Sequence, residues 1–215
     1  MPRLGKVIST SLLACTATLV LAVWASAAPP SAAARASCLP QGALTLAADR
    51  TAQVFSWHGS VYGCLDATGA RQKLGGAAVC NLPPGHVAPV RLVGAIVAYG
   101  LEHCGVDTGS STLVVRNLAS ARRPENLTAG TLRLGPETFV LVQSLVLRGD
   151  GAVGWIAVDE SLVRTRRSTY EVHRFTGAKS SLLDSGTGID PSSLRLVGSR
   201  MTWRDGTKAR SASLS

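Results

Sequence analysis

The sequence predicts an all-β fold built from one short unit used about four times. From Ser144 to Ala157 the chain reads as two strands and a turn. Leu145 and Leu147 share one strand face, Gly149, Asp150 and Gly151 allow the backbone angles of a tight turn, and Val153 and Trp155 resume the alternation. The same order returns at Leu194, Leu196, Gly198, Met201 and Trp203, and at Val90, Leu92, Gly94, Val97 and Tyr99. The equivalent leucines Leu46, Leu92, Leu147 and Leu196 are 46, 55 and 49 residues apart. Periods of this length holding about four strands each belong to propeller blades. The expected architecture is therefore β-propeller-like, with about four blades of three to four antiparallel strands.

Residues 1–27 are expected to be a signal peptide outside this fold. Arg3 and Lys6 make a positive start, Leu12 to Trp24 is almost wholly apolar, and Ala25, Ser26 and Ala27 are small enough for a signal peptidase. The competing reading is an uncleaved anchor, because the uncharged run continues to Ala34. Membrane contact is expected only by that route. Residues 28–40, rich in Ala, Pro and Ser, read as an exposed linker. Residues 41–215 then form the β-propeller-like domain.

Within it, the first group has β-prone runs at 43–46, 52–57, 60–67 and 71–74, and the second at 90–93, 95–102, 111–118 and 125–127. The third group runs through 144–148, 152–159, 168–175 and 179–184, and the fourth through 193–197, 200–204 and 208–214. All prolines beyond the leader, from Pro29 to Pro191, fall between these runs, as expected where a ladder cannot spare an N–H. No stretch keeps a 3.6-residue apolar period with caps, which argues against helices. Trp57, Tyr99, Trp155 and Trp203 supply one large aromatic per group, expected to pack between blades rather than to form a platform for sugar rings. The fourth group lacks an evident last strand. Residues before Ala43 are expected to supply it; otherwise an open edge would invite self-association.

The third group resembles the blades of TolB-type propellers. Asp150, Gly151, Val153, Trp155, Tyr170, Val172, Phe175 and Leu182 stand at matching places. The Ser-Pro that usually precedes Asp-Gly is replaced by Arg148 and Gly149, and no other group keeps the Asp-Gly. The resemblance implies a blade-built exported protein and carries over no catalytic residue.

Cys38, Cys64, Cys80 and Cys104 are an even set in an exported chain and read as two disulfides. Three pairings exist, of which the strand assignment favours Cys38 with Cys80 and Cys64 with Cys104. No Cys-x-x-Cys pair suggests zinc, and no metal or cofactor is expected. The formal charge is +9, or +7 without Arg3 and Lys6. This excess points to anionic partners, and in an exported protein to acidic cell-surface polymers rather than nucleic acid. Arg164, Arg166 and Arg167 are the candidate anion-binding residues, since guanidinium forks suit carboxylate and sulfate.

Catalytic signals are sparse. No serine occupies a Gly-x-Ser-x-Gly elbow, His58 and His86 fall in predicted turns, and His103 and Cys104 are adjacent, hence on opposite faces of a strand. Asn126, Leu127 and Thr128 form a glycosylation acceptor triplet. The sequence thus predicts a non-catalytic secreted or cell-surface binding or scaffold module for anionic polymers or protein partners. One alternative is a hydrolase or lyase on an anionic glycan using Asp159 and Glu160; another is a self-assembling structural protein.

Overall fold

A computed structural model describes residues 38–77, 86–105, 109–131, 138–161 and 168–215. The residues expected to form a leader and most of those expected to form a linker (1–37), together with Cys80 and the three candidate arginines Arg164, Arg166 and Arg167, lie outside the described residues. The described residues are all-β and form four successive antiparallel meanders. The first comprises β1 (Leu44–Ala48), β2 (Ala52–Trp57), β3 (Ser60–Leu65) and β4 (Arg71–Gly76). The second comprises β5 (His86–Val93), β6 (Ile96–Cys104), β7 (Gly109–Asn117) and β8 (Glu125–Thr128). The third has β9 (Thr138–Leu147), β10 (Val153–Ser161), β11 (Thr169–Phe175) and β12 (Ser180–Gly186), and the fourth β13 (Ile189–Val197), β14 (Arg200–Asp205) and β15 (Lys208–Ser213).

Two short parallel contacts, Gly76 with His86 and Gly109–Ser110 with Phe139–Val140, join the first three meanders into an open mixed sheet of 12 strands. The fourth is a separate three-stranded sheet. The turns between first and second strands repay the glycines noted in the sequence: Gly94, Gly151 and Gly198 all hold positive φ, which a side chain would resist. The first meander has no glycine there. Asp49 instead accepts the Thr51 and Ala52 amides at 2.8 and 3.0 Å, and its second oxygen takes the Gly94 amide of the neighbouring turn.

Alternation along the strands gives each inner meander two apolar faces, and three cores fill the seams. Val54, Val61 and Leu74 meet Val97, Tyr99 and Val114 between the first and second meanders. Leu113 and Val115 meet Leu145, Trp155 and Phe175 between the second and third. Ile156 and Val172 meet Leu194, Met201 and Trp203 between the third and fourth. Each seam also has a polar tie. The second-strand aromatic of one meander donates to the meander before it: Tyr99 Oη to the Leu74 carbonyl at 3.4 Å, Trp155 Nε1 to the Ala129 carbonyl at 2.6 Å, Trp203 Nε1 to Asp184 Oδ2 at 2.8 Å.

Trp57 departs from this pattern. Trp155 stands opposite Leu145, two pairs beyond the turn-closing pair Leu147 with Val153. In the first meander the same count from Ala48 with Gln53 arrives at Phe55, which is fully buried. Phe55 is thus the fourth packing aromatic. Trp57 lies one alternation further along, half-buried, with the Arg71 guanidinium 5.9 Å from its ring. Leu46 is likewise not equivalent to the other leucines: it is the extra residue of a bulge between Thr45 and Ala47 and stands exposed.

Two further expectations are corrected. The disulfide joins Cys38 to Cys64, not Cys38 to Cys80, because the segment entering the first meander crosses the face of β3 that carries Cys64. Cys104 is also disulfide-bonded. Among the described residues before β1, Cys38 to Ala43 form no strand; they cover Phe55, with Arg71 Nε donating to the Cys38 carbonyl at 3.1 Å, and the earlier residues expected to complete the fourth meander lie outside the described residues. Pro89 and Pro191 lie inside β5 and β13, each within an interruption of the register. There the missing N–H costs no ladder bond.

Candidate functional site

The first three meanders use their faces for packing or are roofed; the fourth leaves one face open. In β14 Met201 and Trp203 point into the seam, so Arg200, Thr202 and Arg204 point away from it and are exposed or half-exposed. Cross-strand pairing extends this outer face: Arg195 stands opposite Thr202, Ala209 opposite Arg204, and Ser213 opposite Arg200. Arg200 and Arg204 are about 13 Å apart along the strand, four residues at the extended rise, with Arg195 between them on the adjoining strand. Small side chains from β15 leave a depression of about 430 Å³ beside Arg195 and Arg204.

Electrostatically the face is basic with one acidic residue. Asp190 accepts the Ser192 hydroxyl at 2.6 Å and amide at 2.9 Å, and these bonds, helped by Arg204 and Arg195, hold its carboxyl below the usual range. Arg200 donates to Ser211 Oγ at 2.9 Å, and Arg195 to the Ser192 and Leu194 carbonyls at 2.6 and 2.8 Å. These bonds anchor the guanidinium groups by single corners, so their remaining donors face solvent. Such a face offers a row of fixed positive charges with hydroxyl donors between them. It suits an extended polyanion.

Arg164, Arg166 and Arg167, the anion cluster expected from the sequence, lie outside the described residues. Sequence reasoning overlooked Arg195, Arg200 and Arg204 because they are spread over two strands. The available signal was their strict alternation with Leu196, Met201 and Trp203.

The other histidines noted in the sequence are dispersed. His86 is not in a turn; it opens β5, with Nδ1 2.7 Å from the buried Glu102 carboxylate. His58 does occupy a turn, exposed and at positive φ. His103 is exposed beside the disulfide-bonded Cys104, whose sulfur therefore is not a thiolate ligand. Among the described residues no three His, Cys, Asp or Glu side chains are placed to hold a metal ion.

The most enclosed ionisable couple is Glu171 with His173 on β11. Both are almost fully buried, His173 Nε2 is 2.9 Å from Glu171 Oε2, and the His173 ring stacks on Trp155 at 5.0 Å. Burial pushes the Glu171 carboxyl up, but the Thr131 hydroxyl and amide, at 2.5 and 2.7 Å, together with His173, bring it below its ordinary value. Burial lowers the His173 value despite the opposing pull of Glu171. The couple is a neutral imidazole against a carboxylate, and it binds the residue after Gly130 to the third meander. Asp159 points along the same face of β10, and Glu160 follows it in the strand.

Neither a protein-family model, nor a curated protein, nor a solved structure matches this chain.

Proposed function

We propose that the protein is an exported, non-catalytic binding module that holds an anionic polymer on the open face of its fourth meander. One observation carries the reading: Arg195, Arg200 and Arg204 share a solvent-facing sheet surface whose opposite side is anchored by Trp203 and Met201. A rigid sheet presents these charges at fixed intervals, so a polyanion meets them without ordering long side chains first. The leader-like residues 1–27 and the Cys38–Cys64 disulfide support an oxidising, extracytoplasmic location.

In this reading the meanders are blades of an incomplete propeller. Support comes from the opening strands, which neighbour one another in series, β1 with β5, β5 with β9 and β9 with β13, and from the repetition of one aromatic tie per seam. The open arginine face is then the terminal blade surface, where a closed ring would bury it.

The test is elution of the purified protein from an immobilised acidic polysaccharide along a salt gradient. The wild type is expected to be retained at low salt and Arg195→Gln/Arg200→Gln/Arg204→Gln to elute earlier, because fewer counterions are released on binding. Flow-through of the wild type at low salt, or identical elution of the triple variant, overturns the proposal.

A further inference from the structure

A second open site lies elsewhere, at the turn end of the seam between the second and third meanders. Three connections stand apart there: the segment from Leu118 to Pro124, the turn after β9 and the turn after β11. They frame a cleft of about 530 Å³, within the usual size of small-ligand sites. Its apolar lining is Ile96, Val115 and Phe175, the last layer of the seam's core. Val115 and Phe175 remain largely buried in this layer and Ile96 is half-buried, so the cleft meets only the edge of the core.

The polar lining is unequal in charge. Arg122, Arg123, Glu125 and Asp150 all border the cleft. Asp150 is neutralised by Arg148, whose guanidinium is 3.2 Å away. Neither Arg122 nor Arg123 has a carboxylate within ion-pair range among the described residues. The Arg122 amide donates to Ser120 Oγ at 3.1 Å, which fixes the bend that brings both arginines to the rim. Two exposed arginines and one carboxylate without a cationic partner among the described residues, Glu125, therefore border the apolar residues of the cleft.

We infer that this cleft binds a small amphiphilic monoanion, its compact apolar body on Phe175, Val115 and Ile96 and its carboxylate or sulfonate held by Arg122 and Arg123. The charge complementarity and the floor must act together. An apolar molecule alone would leave both guanidinium groups uncompensated, and a bare anion would leave the floor wet. This site shares no residue with the arginine face of the fourth meander, and it does not depend on polymer binding.

Isothermal titration of the full chain with 4-phenylbutyrate, and with 4-phenylbutanol as its uncharged counterpart, tests the inference. The acid is expected to bind saturably with one site per chain, and the alcohol about ten-fold or more weakly, as removal of charge-assisted hydrogen bonds predicts. Arg122→Gln/Arg123→Gln is expected to weaken the acid by a similar factor while leaving retention on acidic polysaccharide unchanged. Asn117→Trp, which places bulk at the exposed edge of the cleft, should abolish binding, and Arg195→Gln/Arg200→Gln/Arg204→Gln should leave it intact. Unchanged thermal melting would show that these surface variants fold. No saturable binding of the acid, equal binding of acid and alcohol, or indifference to Arg122→Gln/Arg123→Gln overturns the inference.

Discussion

The third and fourth meanders begin alike and end differently. Both open with a leucine-bearing strand, turn through a glycine at positive φ and carry a tryptophan on the second strand. In the third, successive residues of β10 are spent on two seams: Val153, Trp155 and Ala157 face the second meander, while Ile156 faces the fourth. In the fourth, every other residue of β14 meets water as Arg200, Thr202 or Arg204. The repeated hairpin thus sets strand order, whereas the residues between the repeated positions decide whether another sheet can stack. A stack of repeats needs such an end, because an apolar terminal face would recruit further copies. The first meander ends the stack by other means: its outer face is apolar at Phe55 and is roofed by a segment tied down by the Cys38–Cys64 disulfide.

The most damaging way to probe this contrast is at an inner seam. Trp155→Ala should destabilise by about 3–5 kcal/mol through cavity formation and loss of the tie to the Ala129 carbonyl, read from urea unfolding. Removing the roof comes next. Cys38→Ala/Cys64→Ala, which frees a loop of 26 residues, should cost about 2–4 kcal/mol and increase binding of an apolar dye as Phe55 is uncovered. A smaller loss, about 1–3 kcal/mol, is expected for Gly154→Val, since a Cβ there would stand 2.7 Å from Met201 Sδ. Pairing it with Met201→Ala should return part of that loss; strict additivity would mean that the two residues do not meet across the seam. Smallest of all, Arg195→Gln/Arg200→Gln/Arg204→Gln should leave stability within about 0.5 kcal/mol, as for surface substitutions generally, while changing polyanion retention.

Between pH 7 and pH 5 acid should act on the inner seam. His173 has a lowered value when folded, so below about pH 6.5 the unfolded chain takes up a proton that the folded one refuses. Glu171, also lowered, contributes stability that disappears as pH falls through its folded value. Both effects run the same way: stability declines on acidification. His173→Phe should therefore flatten the change in unfolding free energy between pH 7 and pH 5, and an unaltered slope would remove His173 from the account.

The all-β class and the order of the meanders were legible in the sequence because alternation, turn glycines and repeated spacing are local properties. Strand beginnings were less so. β5, β9 and β13 each start four to six residues before the predicted run, as these opening strands are held by contacts with neighbouring meanders, and β5 and β13 also cross prolines at register interruptions. The identity of the fourth packing aromatic was hidden because Phe55 and Trp57 alternate onto the same face of β2, and only the pairing with β1 shows that Phe55 stands at the equivalent distance from the turn.

Taken alone, the sequence determined which residues alternate, where the chain turns and that the chain is basic, since each can be read directly from the residues. Only the tertiary structure decided which faces are shared. Whether an apolar face is met by a sheet, roofed by Cys38–Ala43 or left open depends on segments far apart in the chain, and so do the cysteine pairing and the gathering of Arg195, Arg200 and Arg204 on one surface.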